Sequence, residues 1–437
     1  MKALKLSAFY CSMVLAGVGL PSIVSVVPGI SINHVHAAEA ERKTVRVPAL
    51  REKVYSQLAR AQKLADDGDV AAGLAALDSI KERASSMNEY EVAMMHNFYG
   101  FIYYNQNDLD KAITSFEAVV NQNAIPESLK LNTLFSLAQL ALANGQYDKV
   151  VAYLNQWDDV NTAPKKDSYY VLKAQALYQS KEYKSALENI NMAIALAEND
   201  NLVPKENWLV LQRALYYSMN QPKQVVTVLE KMIALYDKPA YWVQLGGMYG
   251  EVGEDKKQLS TLETAYQRGF ITSKSDVRSL SQVYLLNGLA YKSAQLMKQG
   301  MKTGTIENDS KNNAFIAEAL VQAKEERAAI SHFIAAAEVE RHGKFDQRLA
   351  EVYLNLELFD EAADAARAAL DKGGLDLESN AYIALGMAQY NLTNYDASIL
   401  AFERAEKYKK SENLAKQWIK YVKREKTNAE LLKTAYL

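Results

Sequence analysis

The sequence predicts an all-α fold, a right-handed solenoid of about ten helical hairpins that ends in a capping helix. Glycine (19) and proline (8) are few among 437 residues, which disfavours a β-rich chain dense in turns. A pattern of aromatic, small and large apolar residues recurs about every 36 residues, a period typical of helical repeat arrays. The last segment, about residues 412–425, carries Leu414, Trp418 and Tyr421 at helical spacing with lysines between them, as a terminal cap requires.

The clearest repeat unit reads Trp242-x-x-Leu245-Gly246-x-x-Tyr249 and continues through Leu262. This is the tetratricopeptide signature, and the chain is identified on it as a member of that repeat family. The small residue at the eighth position of the first helix lets the two helices of a hairpin approach closely. Bulky residues then fill the space around that contact.

The same small position recurs along the chain and sets the predicted register of ten hairpins. These residues are Ala61, Gly100, Ala138, Ala174, Ala214, Gly246, Ser281, Ala317, Ala350 and Gly386. The prediction divides the chain into a degenerate N-terminal hairpin over residues 48–90, the repeat array over 91–408, and the capping helix and basic tail over 409–437. The loosest joints are expected at residues 302–311 and 341–344, with a slight hinge near residue 305.

The N-terminus reads as a targeting segment. Lys2 and Lys5 precede an apolar run, and Val35-His36-Ala37 is a small-x-small cleavage site. We therefore expect residues 1–37 to be a cleaved signal peptide and residues 38–47 to be a linker; the alternative is an uncleaved membrane anchor. The mature chain would be periplasmic, with no transmembrane segment, no cysteine and so no disulfide.

The composition disfavours most catalytic and nucleic-acid functions. Basic (50) and acidic (52) residues balance, so no overall positive charge points to nucleic acid. His96, His332 and His342 lie far apart and lack the spacing of metal ligands. The glycines between Gly246 and Gly253 fall in a helix and the turn after it, where a phosphate-binding loop would need a preceding strand. We expect no catalytic residue, no cofactor and no metal.

The predicted register places a set of aromatic and amide side chains on the concave face of the N-terminal half. Aromatic rings supply contact area and amides can pair with a peptide backbone, so this set is the candidate partner-binding site. It comprises Asn97, Phe101, Tyr104, Phe135, Gln139, Gln175, Tyr178, Gln179 and Trp208. The alternative is that several of these rings belong to the core between repeats.

The C-terminal tail is basic. Residues 407–437 contain nine Lys/Arg and three Asp/Glu, a net charge of +6. Two interpretations remain: peripheral contact with anionic lipid or an acidic partner, or the solvated face of the cap.

A narrower resemblance lies in residues 47–51 (VPALR), 90–105 (YEVAMMHNFYGFIYYN), 204–208 (PKENW) and 245–251 (LGGMYGE). These stretches resemble the periplasmic tetratricopeptide protein of marine gamma-proteobacterial TonB systems, over about residues 44–425. In that family the gene lies beside those for TonB and its proton-driven inner-membrane partners, which energise uptake through outer-membrane receptors. The resemblance implies an accessory role in iron or nutrient import, with cell-envelope proteins as partners.

Cytosolic chaperone adaptors of the same repeat family offer a contrast. Their carboxylate clamp needs lysine and asparagine at inner positions 5 and 9 of a first helix. The pairs here are Asn97/Phe101, Phe135/Gln139 and Val171/Gln175, so the clamp is missing. The sequence therefore predicts a non-catalytic protein-binding scaffold, with two alternatives: an adaptor for outer-membrane assembly or polymer export, and a hydrolase of cell-wall material.

Overall fold

The computed structural model describes residues 47–435, and every regular element in that range is helical. The predicted signal peptide (1–37) and all but the last residue of the predicted linker (38–47) lie outside the described residues. The chain forms two compact units, the first ending at Gln221 and the second beginning at Pro222.

Unit 1 contains nine α-helices and a short 3-10 turn at Ala84–Ser86. The helices are α1 (Glu52–Asp66), α2 (Val70–Lys81), α3 (Glu89–Asn105), α4 (Leu109–Val120), α5 (Glu127–Ala143), α6 (Tyr147–Val160), α7 (Asp167–Gln179), α8 (Tyr183–Asn199) and α9 (Glu206–Ser218).

Unit 2 contains the remaining twelve helices of the described chain. They are α10 (Pro222–Tyr236), α11 (Pro239–Glu251), α12 (Asp255–Gln267), α13 (Lys274–Leu286), α14 (Ala290–Lys302), α15 (Ser310–Gln322), α16 (Glu326–Val339), α17 (Lys344–Asn355), α18 (Phe359–Lys372), α19 (Glu378–Asn391), α20 (Tyr395–Glu406) and α21 (Glu412–Ala435).

The helices follow one another as ten pairs and a final single helix, which confirms the predicted all-α repeat fold. Within each unit the two helices of a pair pack together, and each pair packs against the next. The predicted N-terminal hairpin is the pair α1 and α2. The fifth pair is divided between the units, because α9 ends unit 1 and α10 begins unit 2.

Each pair turns through one residue with positive φ, and this residue marks the register. It is Gly68, Asn107, Gly145, Lys181, Asn220, Gly253, Gly288, Lys324, Glu357 or Thr393. The next N–H donates to the carbonyl five residues earlier, as from Asp108 to Tyr103 (2.9 Å) and from Glu254 to Tyr249 (2.8 Å). This left-handed helix ending closes the first helix and redirects the chain. Gly253 is thus a turn residue, as expected.

The position of this positive-φ residue confirms the predicted register in nine pairs and corrects it in the fifth. It lies seven residues after the predicted small residue everywhere except after Ala214, where Asn220 follows by six. Consistently, Ala214 is half-buried, whereas the other nine small residues are buried. The eighth position of α9 is therefore Arg213, one residue earlier than predicted.

The small residues lie where two helices touch. A β-carbon added to Gly100 would lie 2.6 Å from the ring of Phe116, and one added to Gly386 would lie 2.8 Å from that of Phe402. One added to Gly246 would overlap Leu262 in the same way. The second helix presents a large side chain to each glycine, so the hairpin closes only because no β-carbon is present.

Apolar packing continues from pair to pair within each unit. In unit 1, one cluster joins α1 to α3 through Leu58, Leu77 and Met95, and a second runs from Ala93 in α3 to Ala176 in α7. In unit 2, a cluster extends from Leu262 in α12 to Ala384 in α19. Each pair buries its apolar face against its neighbours, as repeat stability requires.

The loop around residue 305, the expected site of a slight hinge, lies within unit 2 and not at the boundary between the units. The loop before α15 is fastened inside unit 2: Ile306 is buried, its N–H donates to Gly300 (3.0 Å), and Glu307 pairs with Lys274 (2.5 Å). The joint at residues 341–344 is tied by a hydrogen bond from Gly343 N–H to Gly373 (2.9 Å). The chain instead divides at Gln221 and Pro222, where no loose loop was expected.

The capping helix is present, but its buried face differs from the predicted one. Ala415 and Val422 are fully buried, and the Trp418 ring stacks on Phe402 with centroids 5.3 Å apart. Leu414 is 46% exposed and Tyr421 38%, so these two residues flank the buried face. Close approach to α20 favours a small residue, which Ala415 supplies.

Candidate protein-binding surface

The first helices of successive pairs lie side by side in unit 1, where α1 contacts α3 and α7 contacts both α5 and α9. We define the inner face of unit 1 as positions 2, 5, 9, 12 and 13 of α3, α5 and α7, counted with the buried small residue as position 8. Eight of its fifteen residues belong to the predicted site. The other seven are Met94, Asn105, Asn132, Leu142, Ala143, Ser168 and Val171.

All fifteen residues of the inner face are accessible and uncharged. None of them is buried, and none is Asp, Glu, Lys or Arg. The buried residues of the same helices, such as Met95, Leu137 and Ala174, occupy other positions of the helical repeat. The seven residues that the site prediction omitted share the register of the eight that it named, so the register was the signal that could have found them.

The aromatic side chains of this face pack against neighbouring side chains and remain partly exposed. Phe101 makes an edge-to-face contact with Phe116, with ring centroids 5.4 Å apart. Tyr104 and Phe135 pack against the same apolar cluster. The Tyr178 ring lies 5.8 Å from that of Tyr183. Such rings are already restrained before binding, so less side-chain entropy is lost when a partner binds.

The amide side chains of the face have no partner within the described part of the chain. Gln139 and Gln179 are exposed, and Asn97 and Gln175 are half-buried. Amides elsewhere in unit 1 do bond to the chain, as Asn144 does to Asp110 (2.8 Å). Each free amide can donate to a carbonyl and accept from an N–H.

Trp208 does not belong to this surface, which corrects the prediction. Its side chain is only 4% exposed. In the corrected register of α9 it occupies the position of Met95, Thr133 and Tyr169, which are all buried. The error follows from taking Ala214 as the small residue, because a shift of one residue rotates a helix by about 100°.

The equivalent face of unit 2 is charged. Arg348 donates from Nε and Nη2 to Glu318 (2.8 and 2.7 Å) and from Nη1 to Glu351. The hydrogen bonds with Glu318 raise the pKa of Arg348 above its ordinary value. Glu318 and Glu351, which occupy position 9 of α15 and α17, are therefore already paired within the chain.

Three basic side chains of α21 pair with neighbouring carboxylates. Lys416 pairs with Glu412 (2.6 Å), and Lys426 pairs with Asp396 (2.5 Å). These contacts agree with the solvated face of a cap. None of the helices between residues 47 and 435 has an apolar stretch long enough to cross a membrane.

Two of the three histidines of the described chain, His96 and His332, are partly buried, and His342 is exposed. His332 Nδ1 lies 2.9 Å from Asn313 Oδ1, and burial lowers the pKa of both His332 and His96. Within residues 47–435, no three His, Cys, Asp or Glu side chains form a group that could hold a metal ion.

Comparison with known proteins identifies the repeat. A profile of the tetratricopeptide repeat family matches residues 58–127 in unit 1 and 347–413 in unit 2. The chain therefore carries tetratricopeptide repeats, and no catalytic family is indicated. No curated protein matches the chain.

Several solved repeat structures are similar at low identity. A tetratricopeptide repeat protein from Parabacteroides merdae is 12% identical, over 59% of this chain and 98% of that chain, with a TM-score of 0.32. YrrB, a repeat protein with an unusual peptide-binding site, is 14% identical, over 43% and 96%, with a TM-score of 0.36. The TPR2AB domain of yeast Sti1, in a complex with pHSP90, is 13% identical, over 67% and 98%, with a TM-score of 0.29.

Proposed function

We propose that this protein is a periplasmic scaffold that binds segments of other envelope proteins along the inner face of unit 1. The match to the tetratricopeptide repeat family supports a scaffold for protein–protein interaction. The observation that carries the proposal is the inner face itself: on three successive first helices, every inner position is accessible, and the side chains are rings, amides and small or apolar groups. Restrained rings and free amides are what recognition of a peptide segment uses.

We propose further that the scaffold is an accessory component of a TonB-type energy-transducing system for nutrient or iron uptake. The support is the sequence resemblance described above. The resembling stretch 90–105 covers α3 from its second residue to its end, and so includes Asn97, Phe101 and Tyr104 of the inner face. The periplasmic location rests on the targeting pattern of residues 1–37. N-terminal sequencing of the protein from a detergent-free periplasmic extract tests the location, and the expected first residue is Ala38 or Glu39.

Affinity purification from cross-linked cells tests the partner. The tagged chain is expected to retain the inner-membrane motor proteins of the TonB system. Tyr104→Ala should lose them, whereas Tyr291→Ala, which removes an exposed ring on α14 outside the inner face, should not. Recovery of an outer-membrane assembly or polymer-export machine instead would contradict the TonB assignment and favour the adaptor alternative.

A further inference from the structure

We infer that the segment bound by the inner face of unit 1 is an extended peptide with no charged side chain along the bound stretch. This inference rests on the proposed function and specifies the chemistry of its ligand. It is drawn from the charge, the exposure and the hydrogen bonding of the fifteen inner positions.

The absence of charge distinguishes the inner face of unit 1 from the same positions of three consecutive first helices in unit 2. With 23% of the chain charged, about three charged residues would be expected among fifteen positions. The inner face has none. The same fifteen positions of α13, α15 and α17 in unit 2 carry five, namely Arg278, Lys311, Glu318, Lys344 and Glu351.

A neutral face selects against charged ligands. A charged side chain that docks there loses water and gains no opposite charge, so its desolvation is not offset. An uncharged side chain loses little when it docks on Phe101, Tyr104 or Phe135. The face therefore discriminates against charged peptides because it offers no opposite charge, and such unfavourable interactions are a recognised source of specificity.

The amides indicate an extended backbone. Gln139, Gln175 and Gln179 can each donate to and accept from a peptide group. A helical ligand uses its own N–H and carbonyl groups internally and would leave these amides without partners. An extended strand offers free backbone groups at every residue, and rings between the amides can hold alternate side chains.

The test uses the purified mature chain and a random library of ten-residue peptides whose residues include Lys and Glu. Selection should enrich peptides without charge. The Kd of a selected peptide should change less than twofold between 50 and 500 mM NaCl. Placing Lys or Glu at the centre of that peptide should weaken binding at least tenfold.

A matched pair of variants places the charge on the protein. Gln139→Glu should weaken the uncharged peptide and improve binding of its Lys-substituted version. Gln282→Glu makes the same change at the same helical position of α13, in unit 2, and should alter neither. Enrichment of charged peptides with strongly salt-dependent binding would overturn the inference, as would unselective recovery of the library. The proposed function fails separately, if Tyr104→Ala leaves capture of envelope proteins unchanged.

Discussion

Glu91 is a carboxylate with no exposed side-chain surface, and it fastens the start of the described chain to α3. Arg51 donates to its two oxygens from Nε and Nη2, each at 2.6 Å, and the backbone N–H groups of Arg51 and Asn88 donate at 3.1 Å. The hydrogen bonds from Arg51 lower the pKa of Glu91 from 4.5 to about 2. This buried carboxylate is stable only because its negative charge is fully partnered.

The first prediction concerns this ion pair. Glu91→Gln should lower the stability of the first repeats by about 2–3 kcal/mol at pH 7, because a charge-assisted network is lost. The folded-state pKa lies below the ordinary value, so the contribution of Glu91 is present above pH 4.5 and is lost as the pH falls towards about 2. Hydrogen exchange over residues 47–105 measures the effect at each pH.

The control for this prediction is Glu403→Gln, which changes an exposed carboxylate of α20. It should leave exchange unaltered at every pH. An equal loss of protection in the two variants, or a difference that does not shrink in acid, would contradict the role given to Glu91.

At the scale of elements, the hairpins close on small residues. Gly246 faces Leu262 across the pair α11 and α12, whereas a β-carbon added to the adjacent Gly247 would meet nothing within 4 Å. Gly246→Leu should therefore overpack the pair and cost about 1–3 kcal/mol. Gly247→Leu, one residue further along, should cost little.

Hydrogen exchange over residues 239–267 distinguishes these two leucine variants. In a repeat array the damage from Gly246→Leu should be strongest in its own pair and the pairs adjoining it. Equal protection in both variants would mean that the close approach at Gly246 does not limit packing.

For the capping helix α21, the sequence pattern and the structure assign different residues to the buried face, and this difference can be tested. Trp418→Ala should cost about 3–5 kcal/mol in the last pair, because the ring stacks on the fully buried Phe402. Leu414→Ala should be nearly neutral, since the side chain is about half exposed. If the buried face were the one predicted from the sequence, the two substitutions would cost similar amounts of stability. Thermal melts of the two variants therefore decide which face of α21 is buried.

The sequence predicted these elements where only a small residue fits between two helices. A β-carbon at Gly100, Gly246 or Gly386 would overlap the facing side chain, so the recurrence of Gly, Ala or Ser at this position reveals the register. In α9 the sequence offers Ala214 beside Arg213, and composition alone favours the wrong one. In α21, stripes through Leu414 and through Ala415 both have helical spacing, and only the contact with α20 selects between them.

Across the whole molecule, the two units differ more in surface chemistry than in architecture. Both are stacks of helical pairs, but the inner positions of α3, α5 and α7 in unit 1 are neutral, and those of α13, α15 and α17 in unit 2 carry five charged residues. The sequence pattern places the neutral rings and amides in one register, and their side chains are accessible because accessibility follows from helical phase. It could not separate Trp208 from them, because one residue of phase decides whether a ring lies in the core or on the surface.

The last prediction tests this separation with two rings of unit 1. Tyr178→Ala should leave the melting temperature nearly unchanged and weaken partner binding by about 2 kcal/mol, or about thirtyfold, because the ring is accessible on the inner face and lies outside the buried core. Trp208→Ala should instead destabilise the protein by about 3–5 kcal/mol, because the ring is buried. Melting temperature and partner capture are measured together, with Tyr291→Ala as the exposed-ring control. A lowered melting temperature for Tyr178→Ala would place that ring in the core, and lost capture with a normal melt for Trp208→Ala would return Trp208 to the binding surface.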